Sequence, residues 1–318
     1  MKQILRNILG ISNLGKETVV VTGANGWLGK STVSVLASEF SNYRVIALSR
    51  NIDHNKSNTD LIYMSYDDFS KDNSEITGLI HTAFMTKNYI EEIGPIEYID
   101  QNTKIHNWLM NFIKLKNPNW TVAISSGATK QYIDKVEAGQ PIVDSDLYGK
   151  MKLEEEQALL GSDIPNVAIG RLWAASGRYM QNHKIYALGQ FIEAALNGKN
   201  IKIASREPVY RRYIDAEDFM KVLVMTALDS KRTLFDSGGI LTTIENLAQE
   251  VAKFFNNKNN SKIEIEYDKK KLSIENANYF TNSEKFIELQ SRFKIQESSI
   301  TEQIERTSSA IMAKLGNR

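Results

Sequence analysis

The sequence predicts an α/β protein with a parallel, doubly wound sheet. Three observations favour this fold. Short runs of apolar and β-branched residues recur along the first half of the 318-residue chain, segments with helical spacing separate them, and a glycine-rich stretch directly follows the first run. Regular alternation of strands and helices is typical of parallel sheets that carry helices on both faces. We therefore expect one large sheet in this half.

The elements of the first half follow from residue patterns taken in chain order. The runs that predict strands lie at 18–22, 44–48, 61–65, 78–82, 121–125 and 167–172. The segments that predict helices lie at 30–40, 99–114 and 145–160. The middle helix, for example, is indicated by the spacing of Ile105, Leu109 and Phe112, which would share one face.

The second half is less regular and predicts a smaller α/β region. The segments that predict helices here lie at 186–196, 216–226 and 243–255. An asparagine-rich loop is expected at 256–260, because no apolar periodicity continues through it. Alternating Ile263, Ile265 and Tyr267 then predict a short strand.

Composition excludes several classes of protein. The net charge of +1 leaves no basic surface of the kind that binds nucleic acid. Cysteine is absent, and the four histidines lack the spacing of a metal site. No apolar stretch approaches the ~20 residues that span a bilayer, and residues 1–16 predict a short amphipathic helix instead of a signal peptide. We expect a cytoplasmic protein with no metal, no nucleic-acid partner and no membrane segment.

The glycine-rich segment runs Thr22-Gly-Ala-Asn-Gly-Trp-Leu-Gly29 and follows the first predicted strand. Its G-x-x-G-x-x-G spacing lets the backbone turn tightly beside a phosphate, and the helix that begins there offers free N–H groups to an anion. A place between strand and helix is the context that a dinucleotide-binding Rossmann loop requires, although a purely structural turn is the alternative. The residues expected to bind the cofactor are Gly23, Asn25, Gly26, Trp27, Leu28 and Gly29.

The end of the second predicted strand bears on the choice of cofactor. An NAD site usually places an acid there to hold the ribose hydroxyl, whereas this sequence has Ser49 and Arg50. A guanidinium pairs well with a phosphate, and a hydroxyl can donate to one. We therefore expect Ser49 and Arg50 to bind the 2′-phosphate of NADP. A solvent-facing Arg50, with NAD as the cofactor, is the alternative.

A tyrosine and a lysine four residues apart, Tyr148 and Lys152, lie in the predicted helix at 145–160. This spacing puts both side chains on one helix face. A nearby ammonium favours the phenolate form of a tyrosine and lowers its pKa, which makes the phenol a better proton donor and acceptor. The pair follows a strand that ends in Ser125-Ser126, and this position favours a catalytic role.

Taken together, these motifs resemble the extended short-chain dehydrogenases/reductases, and specifically their nucleotide-sugar epimerase/dehydratase group. The resemblance covers nearly the whole chain from Thr18. The matching segments are 22–29, 125–126, 148–152, 171–172 with Gly177, and 211–218. It implies a dinucleotide-binding Rossmann domain at 1–173 plus 208–238 and a substrate-binding domain at 174–207 plus 239–318. It also implies a homodimer built on two helices, with apolar surface drawn from Trp108, Phe112, Leu153 and Leu160, some of which will instead face the sheet.

The resemblance implies roles for the matching catalytic side chains. Tyr148 would exchange a proton with a sugar hydroxyl or keto oxygen. Lys152 would hold the nicotinamide ribose and lower the pKa of Tyr148. Ser126 would hydrogen-bond the reacting oxygen of the bound substrate, with Ser125 as the alternative at the same position.

Other positions either match the family or depart from it. Arg211 matches an arginine that grips the substrate diphosphate, although an ion pair with an acid at 217 or 218 is the alternative. Asn102 matches a common family asparagine. The pair Gly127-Ala128 stands where sugar dehydratases carry two acids, and neither residue can do acid/base work, so we do not expect dehydration. Ala174 replaces a frequent substrate-contacting asparagine.

Three functions remain open. An NADP-dependent reductase of 4-keto nucleotide sugars would use Tyr148 as the proton donor while a hydride arrives, and Arg50 favours this reading. A nucleotide-sugar epimerase would use the same residues but return the hydride to the opposite face of the sugar. A non-catalytic NADP-binding regulator is the third possibility, and the intact set of Ser126, Tyr148 and Lys152 argues against it.

Overall fold

Seven parallel strands form the central sheet. Numbered along the chain, they are β1 (Glu17–Thr22), β2 (Tyr43–Leu48), β3 (Leu61–Met64), β4 (Gly78–His81), β5 (Trp120–Ser126), β6 (Asn166–Leu172) and β10 (Arg232–Asp236). Their order across the sheet is β10-β6-β5-β4-β1-β2-β3. The six predicted strands are confirmed, and β10 is an additional seventh. From β1 the strands follow one another toward one edge of the sheet (β1, β2, β3), and from β4 they follow one another toward the other edge (β4, β5, β6). A ligand crevice is expected where the order reverses, at the carboxyl ends of β1 and β4.

The computed structural model describes residues 16–52, 58–204, 207–229, 232–259, 262–267 and 278–315. The predicted N-terminal helix at 1–16 therefore lies, apart from Lys16, outside the described residues. The helices are α1 (Trp27–Glu39), α2 (Tyr66–Phe69), α3 (Tyr89–Ile93), α4 (Pro95–Lys116), α5 (Gly127–Glu137), α6 (Leu147–Leu160), α7 (Ala187–Leu196), α8 (Ala216–Asp229), α9 (Ile244–Asn259), α10 (Glu284–Phe293) and α11 (Ile300–Leu315). None of them, over these ranges, is long and apolar enough to cross a membrane.

Helices cover both faces of the central sheet, which confirms the doubly wound architecture. On one face, Leu36 of α1, Phe219 of α8 and Phe286 of α10 are fully buried against the strands. On the other face, Leu109 of α4 and Leu159 of α6 pack into a second core. The strands are therefore buried on both sides, as their continuous apolar runs require.

The smaller region is built on a second sheet that the sequence did not predict. It contains β7 (Ala174–Ser176), β9 (Tyr210–Asp215) and β11 (Ile240–Thr243), in the order β11-β9-β7. A third, two-stranded sheet pairs β8 (Ile201–Ile203) with β12 (Ile265–Tyr267). Over the described residues, β9 pairs antiparallel with β11 and parallel with β7. Helices α7, α9 and α11 share a separate apolar core beside these sheets.

One prediction of local structure was wrong, and one residue offered as dimer surface faces the sheet. The asparagine-rich segment continues α9 as far as Asn259, because the Asn256 side chain both donates to and accepts from the backbone of Ile263 and so ties the helix end to the next segment. Phe112, predicted to supply surface for a dimer, lies in the core and stacks on Phe69. Trp108 packs against Phe112 as well, so this apolar stripe is largely used inside the chain.

Candidate active site

A cleft of about 1540 Å³ opens at the carboxyl ends of β1, β4 and β5 and reaches the smaller region. A typical pocket for one drug-sized ligand measures ~300–1,000 Å³, so the cleft has room for two ligands side by side. All predicted site residues except one line it: Gly23, Asn25, Gly26, Trp27, Leu28, Gly29, Ser49, Arg50, Ser125, Ser126, Tyr148 and Arg211. The exception is Lys152, which lies outside the lining.

The glycine loop is shaped by close backbone contacts. A Cβ on Gly29 would lie 2.1 Å from the carbonyl oxygen of Gly23, and one on Gly23 would lie 2.9 Å from the backbone of Ala83. Gly23 also has φ +65°, which favours glycine. Helix α1 begins just after Gly26, which makes no side-chain cap, so its first N–H groups are available to a phosphate.

Ser49 and Arg50 lie beside this loop, at the end of β2. The Ser49 hydroxyl is buried and accepts a hydrogen bond of 2.8 Å from the Asn25 amide, whereas Arg50 is exposed at the cleft. Sequence reasoning missed Tyr66, whose hydroxyl accepts from the Gly23 N–H at 3.3 Å. Burial raises the pKa of the Tyr66 phenol, while the Gly23 N–H and the charge of Arg50 act in the opposite direction.

Ser126 lies at the end of β5, and its hydroxyl accepts a hydrogen bond of 3.2 Å from the Ala128 N–H, which caps α5. Burial raises the pKa of the Tyr148 phenol above its ordinary value of 10.0, and the Ser126 hydroxyl offsets this only in part. The same hydroxyl acts in the same direction on the Tyr279 phenol, whose pKa burial also raises. Of the two serines, Ser126 is thus the one whose hydroxyl acts on Tyr148.

Ser125 serves a different set of contacts. Its hydroxyl donates to the Glu156 carboxylate and lies 3.1 Å from the hydroxyl of Thr129. Glu156 in turn accepts two hydrogen bonds, of 2.8 and 2.6 Å, from Arg171. These contacts join β5, α6 and β6 beneath the cleft, so Ser125 is braced in the scaffold and only Ser126 is oriented toward Tyr148.

Lys152 is buried behind the cleft wall. Its ammonium donates 2.8 Å to the Ile124 carbonyl and 2.9 Å to the Glu155 carboxylate, and it lies 3.8 Å from the centre of the Phe84 ring. The Phe84 ring also meets Tyr148 edge-on, at 5.8 Å between centroids. Burial is the largest cause that raises the pKa of Tyr148, and Glu155 acts in the same direction. That Lys152 lowers this pKa stays a prediction.

Glu155 is buried, with one oxygen bonded to Lys152 and the other without a hydrogen-bond partner among the described residues. Its second oxygen lies 3.6 Å from Nε2 of His81, and Nδ1 of His81 is 2.9 Å from the Thr22 hydroxyl, at the start of the glycine loop. Burial alone would raise the pKa of the Glu155 carboxyl, but Lys152 and His81 outweigh it and lower the value to about 2. Sequence reasoning missed this residue, although its position three residues after Lys152 is a usable signal.

Arg211 and Asn102 both match family positions, but they lie in different surroundings. Arg211 lines the cleft, and its guanidinium lies over the Tyr279 ring at 5.9 Å. Asn102 is buried and braces the loop after β4, since its amide oxygen accepts from the Met85 N–H at 2.9 Å. Tyr279 itself, which enters the cleft after the segment 268–277, carried no recognisable sequence signal.

Comparisons with known proteins agree with this geometry. The model of the NAD dependent epimerase/dehydratase family matches residues 19–234. A UDP-N-acetylglucosamine 4-epimerase from Methanobrevibacter ruminantium, solved with UDP-N-acetylmuramic acid, shares 19% identity and a TM-score of 0.75, with 95% of this chain and 100% of that one covered. A search of curated proteins returned no significant match.

Two further solved structures have the same fold. The UDP-glucose 4-epimerase of Thermotoga maritima, with UDP-glucose, has 18% identity and a TM-score of 0.69, covering 94% of this chain and 99% of that one. The UDP-glucuronic acid 4-epimerase of Bacillus cereus, with UDP-glucuronic acid and NAD, has 16% identity and a TM-score of 0.70, covering 93% and 99%. Identities this low establish the shared fold.

Proposed function

The chain belongs to the NAD-dependent epimerase/dehydratase family, and from this premise we propose that it is a nucleotide-sugar epimerase acting at C4 of the sugar. The observation that carries the proposal is that Ser126 and Tyr148 line the same cleft as the glycine loop, with the Ser126 hydroxyl acting on the Tyr148 phenol. Gly127 and Ala128 stand where sugar dehydratases carry two acids, and neither can do acid/base work, which argues against a dehydratase. The solved neighbours that bind UDP-sugars and NAD support the substrate class.

The cofactor cradle fits a dinucleotide. Cβ atoms at Gly23, Gly26 and Gly29 would press on neighbouring backbone, so glycine lets this loop close tightly, and the uncapped start of α1 offers N–H groups to a pyrophosphate. When bound, NAD would supply the hydride acceptor and donor. The chain contributes position and charge, with Arg50 at the ribose end of the cradle and Phe84 at the catalytic end.

In the substrate site, the chain's own groups handle the proton. Tyr148 would exchange a proton with the sugar O4, and Ser126 would hold that oxygen in line with the phenol. Arg211 would bind the diphosphate, because its guanidinium is braced by the Tyr279 ring and faces the same cleft. For both C4 epimers to form, the sugar must present either face to the cofactor while Arg211 keeps the diphosphate in place.

A reductase of 4-keto nucleotide sugars is the second candidate. Arg50 favours it, since a cationic side chain and no carboxylate at the end of β2 suit NADP, and NADPH is the usual donor in reductions. The reductase would use Tyr148 only as a proton donor. The two candidates differ in whether the reduced cofactor is consumed.

The direct test is incubation of the purified protein with NAD and, separately, UDP-glucose, UDP-N-acetylglucosamine and UDP-glucuronic acid. Proton NMR of the products should show the C4 epimer of at least one sugar with no net formation of NADH. Tyr148→Phe, purified identically, controls for a contaminating epimerase. Absence of any epimer, combined with consumption of NADPH by a 4-keto sugar, would replace the epimerase with the reductase.

We also propose a homodimer. Exposed apolar side chains remain on α4, notably Ile96 and Leu115, although Phe112 is not available. Light scattering at micromolar concentration should give twice the mass of the chain, and a monomeric mass would reject the proposal.

A further inference from the structure

Residues 177–186, here called the strap, connect the smaller region to the glycine loop. The Gln181 amide donates a hydrogen bond of 3.0 Å to the backbone carbonyl of Asn25. The Tyr186 ring meets the Trp27 ring edge-on, with 5.7 Å between the ring centroids. All four of these residues line the cleft, and the two contacts flank the turn into α1. The strap therefore crosses the cleft at the helix start that offers N–H groups to a pyrophosphate.

The strap is anchored on the side of the smaller region. Near its start, the Gly177 N–H donates 2.9 Å to the Thr307 hydroxyl, and the Lys314 ammonium donates 2.9 Å to the Met180 carbonyl. Both partners belong to α11, and the Met180 side chain is fully buried. At its other end the strap runs directly into α7. Gln181 and Tyr186 thus reach the glycine loop from a segment that is fixed at both ends.

The contacts across the cleft differ in strength from these anchors. A single neutral hydrogen bond and a single aromatic pair each contribute little net free energy, so thermal motion can break and re-form them. The buried Met180 side chain, in contrast, would have to leave an apolar core. The connection between the strap and the glycine loop can therefore open while the strap stays attached to the smaller region.

We propose that Gln181 and Tyr186 are positioning residues that close a bridge over the bound cofactor, and that this bridge must open each time the cofactor enters or leaves. The purpose of the bridge rests on the proposed function. An epimerase returns the hydride from the same cofactor molecule that removed it, so a cofactor that left in between would strand a keto sugar. A reductase has the opposite need, because it must exchange its cofactor in every turnover.

The test measures the rates at which NADH binds and leaves. Stopped-flow recording of nicotinamide fluorescence gives the association rate constant with the free protein and the dissociation rate constant when excess NAD displaces NADH. Gln181→Met keeps the length of the side chain but removes the donor to Asn25. Both rate constants should rise together by ~2- to 10-fold, the population change that loss of one hydrogen bond allows. Their ratio, the dissociation constant, should change little, because one opening step controls entry and exit.

Tyr186→Leu tests the second contact independently and covers the case in which Gln181→Met fails to fold. It removes the ring that packs on Trp27, and it should raise both rate constants in the same way. The matched control is Gln101→Met, since Gln101 also lines the cleft but its amide donates to Glu97 of the same helix. This control should leave both rate constants at their wild-type values.

Two results would overturn the bridge. A rise of the dissociation rate constant alone, with weaker binding of NADH, would make Gln181 a direct ligand of the cofactor. Unchanged rate constants in Gln181→Met and Tyr186→Leu, or an equal rise in Gln101→Met, would show that the strap does not control exchange. The measurement contains no sugar, so failure to find an epimerase activity would leave the bridge standing. An active epimerase with unchanged exchange rates in both variants would reject the bridge alone.

Discussion

The glycine loop and the neighbouring polar side chains at His81, Ser126, Tyr148, Lys152 and Glu155, here called the floor, are held in shape by different forces. Backbone atoms in close contact shape the loop, as shown by the 2.1 Å that would separate a Gly29 Cβ from the Gly23 oxygen. Side chains from separate elements shape the floor, where Glu155 joins Lys152 to His81. Substitutions in the loop should therefore change packing and stability, whereas substitutions in the floor should change proton transfer and local charge.

The largest expected effect lies in the floor. Tyr148→Phe removes the phenol that exchanges the proton but keeps the ring that packs on Phe84. Proton transfer by a positioned side chain contributes ~10²–10⁴-fold, so turnover should fall by that factor. Cofactor affinity, measured by quenching of tryptophan fluorescence, should change little. Retention of more than about a tenth of wild-type activity would remove Tyr148 from its role.

In the loop, Gly29→Ala should destabilise the free protein. The added methyl would overlap the Gly23 carbonyl, and overpacking of this kind costs ~1–3 kcal/mol. Gly26→Ala is the matched comparison, because its Cβ would meet the same oxygen at 3.1 Å. Thermal unfolding without cofactor should show the larger loss for Gly29→Ala. Equal losses would contradict the view that close backbone contact sets the shape of the loop.

Arg50 lies beside the glycine loop and would act on the cofactor through its charged side chain, whereas the loop itself is shaped by backbone contacts. If it holds a 2′-phosphate, Arg50→Ala should weaken NADPH binding by roughly ten- to a hundredfold, since a hydrogen bond to a charged group contributes ~1.5–3 kcal/mol. NADH binding should be nearly unchanged. Dissociation constants at one fixed ionic strength test this. Equal weakening of both cofactors, or a wild type that prefers NADH, would exclude the clamp and favour the NAD-dependent epimerase.

The smallest effect is expected at Tyr279, whose phenol, like that of Tyr148, is acted on by the Ser126 hydroxyl. Tyr279→Phe keeps the ring against Trp173 and Arg211 and removes only the phenol hydroxyl, so its cost should not exceed that of one hydrogen bond, ~0.5–1.5 kcal/mol. We expect kcat to fall by about tenfold or less. A loss of kcat as large as that of Tyr148→Phe would make Tyr279 a second proton-transfer residue beside Tyr148.

The contrast between the two regions also explains how far the sequence could be interpreted. Each of the six predicted strands ends within about one residue of its observed bounds, because strands buried on both faces are continuous apolar runs. The loop residues followed from glycine spacing alone. By contrast, β9 carries Arg211 and Arg212, and β7 has three residues, so neither has a strand pattern that periodicity could detect.

The floor shows why side-chain networks are harder to predict. The helix spacing of Tyr148 and Lys152 was correct, but the partner of Lys152 depends on which face of α6 is buried and on what the neighbouring strand presents there. Glu155 and Glu156 are adjacent on that helix, yet one pairs with Lys152 and the other with Arg171 of β6. Only the packing of α6 on the sheet assigns each carboxylate to its partner.

The central claim is that the hydride leaves C4 of a nucleotide sugar and returns to the same carbon. The direct measurement uses UDP-sugar deuterated at C4, the purified protein and unlabelled NAD, with the products examined by NMR and mass spectrometry. The account predicts that the C4 epimer keeps its deuterium at C4 and that no reduced cofactor accumulates. Deuterium recovered in free reduced cofactor in proportion to oxidised sugar, with no epimer formed, would contradict it.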